Sequence, residues 1–301
     1  MKKRVKERTF IFMKKTTGEK IVHAVMFLIF AVYAASLLVP LLWLMIQSFH
    51  GKATYEDAVL TQGAFAIPSV WHFSNYFEAF IHMTDKSSGT TFLGMVFNSL
   101  WYIAICNTWV LFWPVMTGYL FSKYDFKGRK FLHALIIFTL IVPVTGTAGA
   151  TIRLVDFMGL YDKGPLLVIT TGVSGFSGSF LIYYAIFKGL SWDYAESVFI
   201  DGGGNFTAFI VVMLPLAMPA ISAMMVTNII GQWNEYMQFM LYMPSTPPVA
   251  MGLYKISLSI DREGQPLYYT ALIISMIPVL ILYAFMAEKM MKNLTIGGLK
   301  G

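Results

Sequence analysis

Residues that could do chemistry are sparse in this chain and seldom near one another. The five histidines, His23, His50, His72, His82 and His133, lack metal-ligand spacing, and none accompanies a nucleophile. No metal centre and no catalytic residue is expected. The single cysteine, Cys106, lies in an apolar run, where a small packing residue is the ordinary role, and it has no partner for an intrachain disulfide. Gly202-Gly203-Gly204 suggests a phosphate loop, but no GxxxxGK[ST] pattern occurs anywhere, so any nucleotide must bind another subunit. Two polar segments remain. One is Tyr194-Ala195-Glu196-Ser197-Val198-Phe199-Ile200-Asp201-Gly202-Gly203-Gly204-Asn205-Phe206. The other is Trp233-Asn234-Glu235-Tyr236, at the outer end of an apolar stretch. Glu235 is either a functional ionisable group at membrane depth or a carboxylate at the interface.

The elements that must position these residues are apolar. Of 301 residues, 57% are hydrophobic and 13% charged, against roughly 25% charged in a soluble domain. Long apolar runs fall at 24–48, 92–121, 131–150, 165–187, 206–230 and 268–287, and a bilayer core needs ~20 apolar residues per helix. The first run is too long for a signal-peptide core and reads as a retained anchor. The expected fold is all-α, polytopic, with about six transmembrane helices. Pro40, Pro114, Pro143, Pro215, Pro219 and Pro278 lie within the runs. They mark kinks that bend helices around a path, or ordinary membrane-helix prolines.

The net charge of +6 follows topology and does not point to nucleic acid. With the N-terminus inside, sixteen Lys and Arg fall in the tail, 122–130, 188–205 and the C-terminus, against six in the outer segments. That bias places both termini in the cytoplasm. The organisation is then a cytoplasmic tail 1–23, a first span 24–48, an outer loop 49–91, a membrane core 92–290 and a cytoplasmic tail 291–301. The outer loop carries Pro68, Trp71, Tyr76 and Phe77 and is expected to hold structure of its own. Segment 241–267, with Pro244, Pro247, Pro248, Gly252 and Gly264, is the second outer loop. The small residues Gly172, Ser174, Gly175, Ser177, Gly178 and Ser179 permit close helix approach in the fourth span.

Within the inner segment 191–206, Trp192 to Ile200 is expected to form a short helix with Ser191 as its N-cap. Ala195, Val198 and Phe199 share its apolar face. The three glycines stop it, and a second helix starts near Asn205 or Phe206 and enters the membrane. A short helix, a glycine break and a long helix form an elbow that can pass a push from a soluble partner to the membrane.

The spacing of Glu196, Asp201, Gly202, Phe209, Leu214 and Pro215 resembles the Glu-Ala-Ala-x-x-Asp-Gly-Ala, Phe, Leu-Pro pattern of membrane subunits of binding-protein-dependent ABC importers. Ser197, Val198 and Gly203 depart from its alanines. Further matches are similar to the shorter maltose-type permease of the carbohydrate branch. They are Pro40-Leu41-Leu42-Trp43, Asn98-Ser99, Tyr124 to Lys130, Trp233 to Tyr236 and the ending Leu294 to Gly301. Together they cover most of 35–301. The resemblance implies a permease subunit, not an enzyme, forming half of a sugar or oligosaccharide path in a bacterial cytoplasmic membrane. It implies a second homologous permease, a dimeric ATPase that binds ATP and magnesium, and an extracytoplasmic solute-binding protein. This chain itself would carry no cofactor. Glu196, Ser197, Asp201, Gly202 and Gly203 would dock on the ATPase. Trp233, Asn234 and Glu235 would border the substrate path, and Pro247, Pro248 and Gly252 would touch the binding protein. The C-terminal tail would settle against the ATPase.

Alternatives are an ABC permease for another solute, or a secondary transporter. The latter would normally carry repeated halves and buried ionisable groups. Neither is visible in this sequence. A membrane-embedded enzyme would need a clustered constellation that is also not found.

Overall fold

The computed structural model describes residues 16–142, 146–173, 178–258 and 264–297, the last twelve of these by backbone alone. In chain order the helices are α1 (Thr17–Ser48), α2 (Lys52–Gln62), α3 (Ser74–His82), α4 (Phe92–Lys123), α5 (Arg129–Ile141), α6 (Ala148–Phe157) and α7 (Pro165–Thr171). They continue as α8 (Phe180–Gly189), α9 (Asp193–Ile200), α10 (Asn205–Trp233), α11 (Met237–Tyr242), α12 (Val249–Ser257) and α13 (Gln265–Gly297). Among the described residues there is no strand beyond one isolated bridge, Asp85 to Thr90. The chain is an all-α, multi-pass membrane protein.

Four helices, α1, α4, α10 and α13, are long and apolar enough to cross a bilayer. Among the described residues, the third and fourth apolar runs are each divided between two helices. Segment 131–150 is divided between α5 and α6, and segment 165–187 between α7 and α8. The 13 residues of α5 cover about 20 Å of a core about 30 Å thick. Both interruptions contain glycine. Gly146, in the first of them, has φ +77°. At Gly172 an added Cβ would sit 2.4 Å from a Val110 methyl, so the chain turns away closely against α4. Pro143, Ser174, Gly175 and Ser177 lie outside the described residues.

The first span starts earlier than the apolar run. Thr16 and Glu19 form a reciprocal capping box, which sets the helix start at Thr17. Its most apolar window has no residue buried inside the chain, and only Gln47 and Ser48 in its last turn are enclosed. At the other end, α13 runs on to Gly297, beyond the expected boundary at 291. Residues 298–301 lie outside the described residues.

Prolines leave a specific mark. Pro40, Pro219 and Pro278 sit inside continuous α-helix. Pro114 and Pro215 are each preceded by a π turn, Cys106–Val110 in α4 and Ala208–Met213 in α10. A proline ring crowds the carbonyl four residues earlier and donates no hydrogen bond, and a wider turn relieves both conflicts.

Segment 49–91 is folded and carries α2 and α3. The Asn75 carboxamide donates to Ser48 O at 2.7 Å and His50 O at 2.8 Å, Gln47 donates to Ala66 O at 3.1 Å, and the Phe49 ring packs on Trp71, Phe73 and Tyr76. One ion pair ties it to the second outer segment: Lys255 Nζ lies 2.7 Å from Asp85 Oδ1, with the Asp85 side chain 3% exposed. Burial alone would raise the Asp85 carboxyl. Hydrogen bonds from Lys255, Ser88 and Ser87 outweigh burial and hold it well below the usual carboxylate range. The stabilisation is therefore present above the unfolded value of about 3.9 and is lost as pH falls toward the depressed folded value. Asp85→Asn is expected to cost about 2 kcal/mol at neutral pH. Thermal melts should show the gap unchanged to about pH 5 and narrowing below about pH 4. Equal melting of the two proteins at neutral pH would refute the assignment.

Candidate functional site

The elbow is built as its sequence suggests. Helix α9 buries Ala195 completely and half-buries Val198 and Phe199, while Asp193, Glu196, Ser197 and Asp201 are exposed. Its start lies one residue later than expected, and the Ser191 hydroxyl accepts from Asp193 N at 3.3 Å. It ends in a Schellman motif. Gly202 N donates to Phe199 O at 3.0 Å, Gly203 N donates to Val198 O at 2.8 Å, and Gly202 has φ +83°. Gly203 is fixed for a second reason: an added Cβ would lie 2.5 Å from a Val198 methyl. Gly204 is extended, and α10 begins at Asn205.

Two features show what the elbow can do. First, its exposed surface mixes acid and apolar groups. Tyr194, Ile200 and Phe206 are exposed beside the three carboxylates, and Ile200 keeps 86% of its surface. Single exposed apolar residues are ordinary, but three within the segment 194–206, among exposed carboxylates, suit a protein partner. Second, the elbow is clamped to the membrane helices. The rings of Phe199, Trp192, Tyr124 and Tyr119 follow one another at 5.9, 5.4 and 5.6 Å, and Tyr119 stacks on Phe209 at 4.7 Å. Tyr124 OH donates to Asn205 Oδ1 at 3.2 Å, and the Lys123 ammonium donates to Leu190 O. Below them Val115, Tyr183, Phe187, Met213, Ala217 and Ile221 form a packed cluster shared by α4, α8 and α10. A force on α9 therefore reaches three membrane helices through close-packed rings. Sequence reasoning missed these clamp residues. The aromatic residues on both sides of the elbow, Tyr124 and Trp192, were the available signal.

The other two residue groups are placed as follows. Trp233, Asn234 and Glu235 are adjacent in sequence but face apart at the end of α10. Trp233 is buried in an outer cluster with Met95, Ile103 and Leu267; Asn234 donates to Ile230 O at 2.8 Å; Glu235 accepts from Gln238 N at 2.9 Å and caps α11. Pro247, Pro248 and Gly252 are buried within the chain. Asn98 donates to Pro247 O at 3.0 Å, the Ser99 hydroxyl accepts from Val249 N at 3.1 Å, and an added Cβ on Gly252 would be 2.5 Å from Met95 Sδ. Among the described residues of 241–267, Ser245, Leu258 and Gln265 are exposed. No group of three or more His, Cys, Asp or Glu among the described residues is placed to hold a metal ion.

No family model matches the chain. Curated relatives do. The diacetylchitobiose uptake system permease protein NgcG of Streptomyces coelicolor is 28% identical over 288 residues, covering 91% of this chain and 87% of that protein. The chain resembles sugar ABC-importer permeases. The arabinooligosaccharides transport system permease protein AraQ of Bacillus subtilis is also 28% identical, over 78% of this chain and 81% of its own length. The trehalose transport system permease protein SugB of Mycobacterium tuberculosis is 23% identical over 88% and 93%. A permease-like fold is independently evident. A chain in the crystal structure of a bacterial ABC transporter that imports alginate superposes with a TM-score of 0.71 at 21% identity, over 92% of this chain and 99% of that one.

Proposed function

We propose that this chain is a permease subunit of a bacterial ABC importer for a sugar or oligosaccharide. The observation that carries the reading is the elbow, a projecting acid-and-apolar turn locked by stacked rings to three membrane helices. The similarity to NgcG, AraQ and SugB along most of the chain supports it. The chain forms half of the path, with a second homologous permease supplying the other half. A dimeric ATPase binds ATP and magnesium and receives Glu196, Ser197, Asp201, Gly202 and Gly203. Closure of that dimer moves α9, and the helices joined to it rotate as a rigid body to open the path alternately to each side. An extracytoplasmic binding protein delivers the solute. The chain transports and does not catalyse hydrolysis.

The test is uptake by proteoliposomes holding this chain with its partner permease, ATPase and binding protein, using diacetylchitobiose, an arabinooligosaccharide and trehalose. Accumulation should need ATP inside the binding-protein-free compartment. Uptake that persists without the ATPase and follows an ion gradient would make the chain a secondary transporter instead.

Orientation has its own expected result. In a Cys106→Ala background, a cysteine at the exposed Ala53 of α2 should react with an impermeant thiol reagent in intact cells. A cysteine at the exposed Lys127 should react only after the membrane is opened. The reverse pattern would invert both termini.

A further inference from the structure

The inner end of α5 has a feature that the coupling role does not use. A cavity of about 450 Å³ lies between α5 and α8. Its lining changes along the helix axis. Arg129 and Lys130, with the carboxylate of Asp125, stand at the cytoplasmic end, His133 and Tyr184 follow, and Ala134 and Ile137 line the end toward the membrane interior. Lys188 stands at the rim, outside the lining itself, with its ammonium 5.6 Å from the centre of the Tyr184 ring. Arg129 is partly neutralised by Asp125 at 3.0 Å, whose own side chain is 94% exposed. Neither Lys130 nor Lys188 has a carboxylate partner among the described residues. Around the cavity the outward side chains Phe131, Leu135, Phe138, Leu181 and Ile182 are exposed and apolar, a surface suited to acyl chains.

We infer that this cavity holds the headgroup of an anionic phospholipid from the cytoplasmic leaflet. The phosphate lies against Lys130, Lys188 and the free part of the Arg129 charge, and the glycerol and upper acyl chain pass Ala134 and Ile137. Three observations favour a lipid over a soluble anion. The basic groups are confined to one end, the walls become apolar toward the bilayer, and the flanking surface is already lipid-like. Basic pockets between membrane helices on the cytoplasmic side suit such headgroups, and each nearby cation strengthens binding about fivefold. The inference rests on the membrane orientation and not on the transported solute.

The test is native mass spectrometry of the full chain released from micelles doped with phosphatidylglycerol or with phosphatidylcholine. The wild type should retain one phosphatidylglycerol and little phosphatidylcholine. The double variant Lys130→Gln, Lys188→Gln should retain phosphatidylglycerol about 30-fold more weakly. Lys127→Gln, which alters an exposed loop charge outside the cavity, should match the wild type. Ile137→Trp, which fills the apolar end, should exclude the lipid with all the charges still present. Equal retention of the two lipids, or unchanged retention in the double variant, would overturn the proposal. So would displacement of phosphatidylglycerol by excess inorganic phosphate, because the site would then be one for a free anion.

Discussion

Glu196→Lys is expected to abolish coupled uptake while leaving the chain in the membrane. Glu196 is exposed on the first turn of α9, with Asp193 and Asp201 beside it. Among the described residues nothing holds its carboxylate, so the substitution should not disturb the fold. A hydrogen bond between a carboxylate and a cationic partner contributes enough that Glu196→Ala should weaken ATPase association between about tenfold and a hundredfold. The lysine variant adds repulsion between like charges and should be worse. Gly202→Val offers a contrast. It leaves every charge in place but forces a β-branched residue into φ +83°, so it should damage coupling by distorting the end of α9. The deciding measurement pairs uptake with co-purification of the ATPase. A Glu196→Lys complex that assembles and transports like the wild type would remove the elbow from the mechanism.

Gly118→Val should be the most destabilising substitution in the membrane core. At Gly118, α4 crosses α8 so closely that an added Cβ would lie 2.8 Å from the backbone N of Tyr184 and 2.9 Å from Tyr183 Cβ. Neither contact is a flexible side-chain end that can move aside. Tyr183 is itself fully buried. The helices must separate, and separation opens the cluster of Tyr119, Phe187 and Phe209 that supports the elbow. Overpacking of this kind costs about 1–3 kcal/mol. Alanine should fall in that range, and valine, with two further methyl groups, should exceed it. The check is the thermal aggregation midpoint of the purified protein together with its yield from membranes. A valine variant that melts with the wild type would mean that the crossing is looser than it stands in the structure.

The elbow was legible in the sequence because its determinants are local. The apolar positions of α9 repeat with helical spacing, and Gly202 and Gly203 supply the stop that the Schellman motif needs. The breaks in the third and fourth spans were not legible, since an apolar window averages across Gly146 and Gly172 and reports one span. The burial of Pro247, Pro248 and Gly252 was hidden for a different reason. Their composition is that of a surface loop, but their partners, Met95, Asn98 and Ser99, are some 150 positions away, and such pairings leave no local trace. The ring clamp joins α4, α8, α9 and α10, so only the folded chain brings it together.

The π turn at Ala208–Met213 sets the azimuth of the elbow. An α-helix advances about 100° per residue, and a wide turn holds one residue more than an α-turn in nearly the same length. Everything on the cytoplasmic side of Ala208 is thereby offset in phase from Pro219, Ile221 and Trp233 on the same rod. The bearing of α9 around the long axis of α10 is thus adjustable in whole-residue steps without altering any residue that meets a partner. Deleting one residue within the turn would swing the acid-and-apolar face by about a quarter of a circle, away from a docking partner, even if both halves of the rod stayed helical.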